Sequence, residues 1–195
     1  LTRGLSLTFG IRYDYEHTSN DFLFYKETDG GSEQMDAFDS RLKFSQVTPK
    51  IALQYMFPST GMLYATVTKG YKTGGFNTSF DREEDRTFRP ETSWNYEFGA
   101  KHPFLDNRLN AEFCFFWIDW KNQQIYQMLA TQNGQFLRNA GRSESKGVEV
   151  SLQGNPVNGL MVQVNYGFTH ATFKDYKDER RCLLYTSPSP RDRTR

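Results

Sequence analysis

The sequence predicts an all-β chain, a set of about seven antiparallel strands in up-and-down order with one oily face and one wet face. Three observations lead there. Apolar residues return at every second position in segment after segment. No segment carries a helical period. Long and short connections alternate along the chain.

The first strand is the clearest. In LSLTFGIRYDYE, Leu5, Leu7, Phe9, Ile11, Tyr13 and Tyr15 hold the odd positions, and Ser6, Thr8, Gly10, Arg12, Asp14 and Glu16 the even ones. A period of two places the two sets on opposite faces. Val47, Ile51, Leu53, Tyr55 and Phe57 then alternate with Thr48, Lys50, Ala52 and Gln54. Pro49 interrupts this set and removes one ladder donor. The segment Met62–Tyr71 could be apolar on either parity. Trp94, Tyr96, Phe98 and Ala100 alternate with Asn95, Glu97, Gly99 and Lys101. Residues 108–124 are apolar on both parities in their middle and β-compatible throughout. Val148, Val150 and Leu152 alternate with Glu149, Ser151 and Gln153. Leu160, Val162, Val164, Tyr166 and Phe168 alternate with Met161, Gln163, Asn165, Gly167 and Thr169.

The connections have a pattern of their own. Residues 17–44 read as a long polar link, 58–61 as a tight turn and 72–91 as a long charged link. Residues 103–107 are short, 126–135 middling and 154–159 short and rich in turn formers. In an up-and-down sheet this alternation sets every long link at one end. Transmembrane barrels have that layout.

A soluble β-sandwich also alternates, with its oily face turned into a core. The long strands, the charges on the polar parity and the aromatics near strand ends favour lipid instead. Tyr13, Tyr15, Tyr55, Phe57, Tyr71, Trp94, Tyr166 and Phe168 all lie within a few residues of a link, as interfacial girdles require. The even residues of the first strand would then face the lumen. There Arg12, Asp14 and Glu16 are expected to meet Lys50, Glu97, Lys101 or Glu149 across neighbouring strands.

Composition removes other classes. The 195 residues carry a formal net charge of +1, so no basic excess points to nucleic acid. Mean hydropathy is −0.72 despite 17 Phe, 11 Tyr and 3 Trp. The longest apolar run, Phe113 to Ile118, is far short of the ~20 residues of a membrane helix. Cys114 and Cys182 lack metal-ligand spacing, and His17, His102 and His170 are scattered. No metal, no cofactor and no catalytic residue is expected. No nucleophile–base pair or phosphate-binding glycine loop is visible, so the chain is not expected to be an enzyme.

Several phrases taken in order carry a resemblance. They are GYKTGGFN (Gly70–Asn77), FRPETSWNYEFGAK (Phe88–Lys101), AEFCFFWIDWKNQQI (Ala111–Ile125), NAGRSESKGVEVSL (Asn139–Leu152) and VNYGFTHATFKDY (Val164–Tyr176). Together they resemble the C-terminal half of the β-barrel of TonB-dependent outer-membrane receptors, with the siderophore branch as the nearest match. The resemblance implies a partial segment of a 22-stranded transmembrane barrel, the size of plugged outer-membrane transporters. It implies a plug domain and final strands that lie outside this chain, which begins at Leu1 and is expected to be a fragment. It implies outer-membrane lipid, a ferric siderophore and, through the plug, the TonB complex as partners, in the outer membrane of a Gram-negative bacterium. Uptake of cobalamin, haem or oligosaccharide, a non-transporting structural or adhesive barrel, and a soluble sugar-binding sandwich are the alternatives.

The expected ligand-facing residues are Tyr71, at the end of the third strand, and Lys72, Phe76, Asn77, Arg82, Arg86 and Arg89, on the long link 72–91. The same residues also have structural readings. Gly74 and Gly75 allow positive φ or close backbone approach where a strand leaves the rim. DREEDR (Asp81–Arg86) reads as a solvated loop tip whose acids oppose an anion site. Glu91 is expected to pair with Arg86 or Arg89. Phe22, Phe24, Tyr25 and Phe38 offer rings for stacking on a ligand. Barrel sequence is expected over 1–181. Residues 182–195, CLLYTSPSPRDRTR, break the alternation and resemble a translated library adaptor rather than native protein, the alternative being a Pro-rich outer loop.

Overall fold

The computed structural model describes residues 4–28, 31–58, 60–131, 133–139 and 141–175, with the side chains of 24–28 and 32–39 outside that description. The expected adaptor tail therefore lies outside the described residues, as do the rings of Phe24, Tyr25 and Phe38.

Seven long strands form one antiparallel sheet in sequence order. They are β1 (Leu5–Thr28), β2 (Gly31–Met56), β3 (Met62–Lys72), β6 (Glu91–Phe104), β7 (Leu109–Lys121), β10 (Arg142–Val157) and β11 (Leu160–Phe173). Two small hairpins sit in the long connections. β4 (Gly75–Phe76) pairs with β5 (Thr87–Phe88), and β8 (Gln124–Met128) pairs with β9 (Gln135–Asn139). A single 3-10 turn, Glu83–Arg86, lies between β4 and β5. At the opposite end, short turns join β2 to β3, β6 to β7 and β10 to β11. No helix among the described residues is long and apolar enough to cross a membrane.

The register shows what the alternation encodes. Leu7, Leu53, Ala65, Phe98, Phe115, Val148 and Phe168 are successive cross-strand partners, one from each of the seven strands. The row Leu5, Tyr55, Leu63, Ala100, Phe113, Val150 and Tyr166 runs parallel to it on the same face. The odd parity of β3 is thereby the oily one. No second layer covers this face: Phe9 is 70% exposed and Ile11 79%. Among the described residues Phe136, 3% exposed and far from these rows in β9, is the one buried apolar side chain. A sandwich core would bury these rows.

Aromatics close both ends of the oily face. Near the long connections Tyr96 stacks on Trp117 at 5.1 Å, with Trp94 6.5 Å from Tyr96. Near the short turns Tyr55 meets Phe57 edge-on at 5.0 Å, and Phe104 lies by the turn to β7. The other face is polar. It carries Thr66, Glu97, Lys101, Glu112, Cys114 and Glu149 and bounds a cavity of about 660 Å³. Two glycines on this face make room for rings of adjacent strands. A Cβ on Gly99 would come 2.4 Å from the Tyr64 ring, and one on Gly147 would come 2.7 Å from Phe116.

Two expectations are corrected. Within the expected link 17–44, residues 17–28 and 31–44 are strand rather than loop. β1 and β2 stay paired from Leu5↔Tyr55 to Thr28↔Gly31, with one register shift after Phe24. At ~3.3 Å per residue the hairpin's 24 and 26 residues run far past the ~9–11 that cross a membrane. The β2–β3 ladder, by contrast, starts only at Lys50, beside Pro49, which has no N–H to extend it. The lumenal charges also pair differently. Arg12 bonds Asp14 of its own strand at 2.9 Å, because its cross-strand neighbour is Thr48. Lys101 pairs with Glu112 at 2.8 Å across β6 and β7.

The two faces respond oppositely to charge. In the full-length barrel refolded into bilayers, Phe113→Arg on the oily face is expected to destabilise by about 2–4 kcal/mol. Thr66→Arg, beside Glu97 on the polar face, is expected to stay within about 1 kcal/mol of the parent. Denaturant titration of the refolded protein measures both.

Candidate functional site

At the long-connection end, the links β3–β6 and β7–β10 form one interlocked body. Gly74 permits the first step. Its Cα is so enclosed that a Cβ would come 2.4 Å from the Phe88 carbonyl and 2.7 Å from the Phe44 ring. Close approach, not positive φ, is what this glycine supplies. β4 and β5 can then pair above the rim, with the 3-10 turn at their tip.

Two asparagine side chains join the links by imitating a peptide group. Asn77, 5% exposed, accepts from the Leu137 N–H at 2.8 Å and donates to the Leu137 carbonyl at 2.8 Å. Its second amide hydrogen goes to the Asp85 carbonyl at 2.7 Å. Asn139 returns the arrangement from the other link. It accepts from the Arg89 N–H at 2.7 Å and donates to the Arg89 carbonyl at 2.8 Å and the Asn122 carbonyl at 2.8 Å. A carboxamide offers one acceptor and two donors, so each side chain can complete a bidentate pair and still hold a third group.

Further bonds fasten the same two links. Gln124 donates its side-chain amide to the Thr73 carbonyl at 2.6 Å and its backbone N–H to Glu91 at 2.7 Å. Asp81 accepts from the Ala130 N–H at 2.9 Å. The Asp85 carboxylate, nearly buried, faces the Arg138 guanidinium at 3.2 Å. Glu91 thus binds a backbone donor of β8 rather than Arg86 or Arg89, which corrects the expected pairing. Phe136 is buried on β9, which packs against the 3-10 turn and β5.

The sequence-expected ligand residues fall into distinct settings. Tyr71 and Lys72 end β3, opposite Thr92 and Glu91. The Tyr71 hydroxyl is buried without a hydrogen-bond partner among the described residues, as are Thr73 Oγ1 and Gln124 Oε1. Phe76 is half-buried in β4, and Asn77 is committed to the clamp. Arg82 pairs with Glu84 at 3.3 Å, and Arg86 pairs with Glu83 while lying 5.7 Å from the Phe80 ring centre. DREEDR therefore neutralises much of its own charge. Lys72 and Arg89 are exposed and make no ion pair among the described residues. Sequence reading missed Asn139, Gln124, Asp85 and Arg138. The bonds by which Gln124, Asn139 and Asn77 reach the other link span 33 to 60 residues, and no local pattern marks such bonds. Among the described residues no group of His, Cys, Asp or Glu has the arrangement of a metal site.

The family profile "TonB dependent receptor-like, beta-barrel" matches residues 1–192. The pesticin receptor of Yersinia pestis is 26% identical over 176 residues, covering 89% of this chain and 24% of the receptor. The ferripyoverdine receptor of Pseudomonas aeruginosa is 25% identical over 152 residues, covering 71% of this chain and 18% of the receptor. Among solved structures, the ferric yersiniabactin uptake receptor of Y. pestis superposes with a TM-score of 0.70 at 22% identity, over 89% of this chain and 25% of that one. At that identity the superposition speaks for the fold: the seven-stranded sheet is a segment of a larger barrel. The chain spans about a quarter of the length of the curated relatives it matches.

The clamp makes the two links one unit. Asn77→Ala strands the Leu137 N–H and the Asp85 carbonyl, a loss of about 1–3 kcal/mol per buried group. In the full-length protein, amide exchange at Leu137 is expected to quicken about tenfold or more, in step with the amides of 83–86. Asn77→Asp keeps the acceptor but sets a carboxylate oxygen against the Leu137 and Asp85 carbonyls, so it is expected to quicken exchange at 83–86 as Asn77→Ala does. Hydrogen-exchange mass spectrometry reads both variants.

Proposed function

The chain belongs to the TonB-dependent receptor β-barrel family, and we propose that the protein it forms part of imports ferric siderophores across the outer membrane of a Gram-negative bacterium. The observation that carries the reading is the oily face, continuous over seven strands and closed by rings at both ends. A protein with that face sits in lipid, and its polar face lines a passage. The names of its relatives supply the cargo: receptors for ferripyoverdine and for ferric yersiniabactin. Import of a scarce chelate against its gradient needs energy, which the family's TonB complex would deliver through a plug inside the barrel.

The interlocked links form the outer rim on which the ligand is first held. Lys72 and Arg89 bring exposed positive charge, which suits an anionic ferric chelate. Phe76 adds an aromatic surface, and Arg82 and Arg86 add cations tempered by their acids. Asn77, committed to the clamp, holds this surface in place.

The test is uptake by the complete gene product. In an iron-starved Gram-negative host lacking its own siderophore receptors, expression is expected to restore accumulation of radiolabelled iron from a ferric siderophore, only when TonB is present. Lys72→Gln with Arg89→Gln is expected to weaken ferric-siderophore binding about tenfold, as loss of roughly two exposed charge contacts implies. Uptake of haem, cobalamin or an oligosaccharide with none of any ferric siderophore overturns the cargo. Recovery of the complete protein in the soluble fraction overturns the membrane reading.

A further inference from the structure

At the short-turn end the oily face holds a groove of about 750 Å³, a volume in the range of small-molecule sites. The last two oily rows of the sheet form its floor. One row is Ala111, Leu152 and Val164, and the next is Leu109, Gly154 and Val162. Gly154 has no side chain to fill its row, so a furrow opens between its two neighbours. The glycine is also pressed close to β7: a Cβ there would come 3.1 Å from the Arg108 carbonyl and 3.3 Å from the Leu109 side chain.

Two irregularities wall the furrow. The β10–β11 ladder slips after Gly154, where Val157 is next to pair, with Leu160. Asn155 and Pro156 stand outside that ladder, and Asn155 donates its N–H to the Arg108 carbonyl at 2.8 Å instead. On the other side the β6–β7 turn holds three successive residues at positive φ, Leu105 at 54°, Asp106 at 53° and Asn107 at 67°. Aspartate and asparagine adopt this conformation readily; leucine does so at a cost. The result is a Leu105 side chain 71% exposed beside the groove. Strain retained around an uncovered apolar side chain points to a partner for it.

The mouth of the groove carries one charge of each sign. Asp106 and Arg108 both line it and both are exposed. Neither makes an ion pair or a side-chain hydrogen bond among the described residues. A fitting occupant is apolar along its length and bears an anion and a cation at one end.

We propose that this groove holds an acyl chain of a phospholipid with a phosphoethanolamine headgroup, its phosphate on Arg108 and its ammonium on Asp106. The proposal rests on the reading that the oily face meets lipid. The groove continues that face, so it opens into hydrocarbon and is filled by a chain rather than by water. The guanidinium fork of arginine matches phosphate oxygens. A primary ammonium brings three N–H donors to a carboxylate, and a trimethylated one brings none. A headgroup with phosphate alone leaves Asp106 unpaired beside a second anion.

The complete receptor is reconstituted into bilayers of phosphatidylethanolamine, phosphatidylcholine and phosphatidylglycerol in equal parts with matched acyl chains. Lipid retained on the extracted protein is measured by native mass spectrometry. The parent is expected to retain phosphatidylethanolamine about tenfold better than either competitor, as one hydrogen-bonded charge contact implies. Asp106→Asn is expected to bring phosphatidylethanolamine and phosphatidylcholine within about twofold. Arg108→Gln, which removes the phosphate partner, and Val164→Trp, which fills the furrow from β11, are each expected to lower retention of all three lipids about tenfold. Phe168→Trp, farther along the same strand on the same face, is expected to leave retention unchanged. Equal retention of the three lipids by an inserted parent, or none, overturns the site and leaves the membrane reading standing. A preference that survives Asp106→Asn overturns the headgroup assignment, and an equal loss in Phe168→Trp overturns the groove in favour of lipid spread over the whole face. Failure of the parent to insert overturns both the site and the membrane reading.

Discussion

A strand that crosses hydrocarbon must leave no peptide group unpaired, because no water is there to replace a lost partner. The sheet meets that demand with a ladder that runs from β1 to β11 in sequence order and does not skip a strand. Once the ladder is fixed, the faces follow. Cross-strand partners share a face, so one oily residue per strand becomes a continuous belt. The same register that seats Phe98 against Phe115 seats Lys101 against Glu112 on the far side. Belt and lumenal polarity are consequences of one set of backbone bonds.

Above the belt the demand relaxes and the chain solves it differently. The two links cannot all be strand, since they must turn, yet their backbone groups become buried where they pack. Asn77 and Asn139 supply what a neighbouring strand would have supplied, a donor and an acceptor at peptide spacing. The rim is thus an extension of the ladder by side chains. Each asparagine belongs to one link and grips the other, so neither link can detach without breaking bonds held by both.

This explains which parts were legible in the sequence. Alternation is a record of two different solvents on the two sides of a strand. From Leu5 to Glu16 one side is oily and uncovered and the other polar, and the pattern is unbroken. From His17 to Phe44 both parities are mostly polar in sequence, so no alternation marks the strands, and a paired hairpin reads as a polar loop. β3 read ambiguously because Tyr64 is large on the polar face, where Gly99 makes room for it. A single sequence window cannot show that cross-strand accommodation. The clamp was invisible for a related reason: Asn77 and Leu137 are 60 residues apart, and an asparagine beside two glycines looks like turn chemistry. The lumenal pairs failed for want of register. Charge signs on two strands do not say which residues stand opposite, and one step along Arg12's neighbour finds Thr48 instead of Lys50.

Charge placement depends on the register in the same way. In DREEDR the arginines are matched by acids of their own segment, and Asp81 and Asp85 reach the next link, where they take the Ala130 N–H and the Arg138 guanidinium, so the charges of this segment serve cohesion. Across β7 and β10 the ladder sets Lys121 opposite Arg142, two like charges, and Asp119 one step below takes Arg142 by two bonds at 2.7 and 2.9 Å. On the lumenal face opposite signs stand directly across, as Lys101 and Glu112 do. Composition counts all these charges alike; the register decides which of them pair side by side and which only along a diagonal.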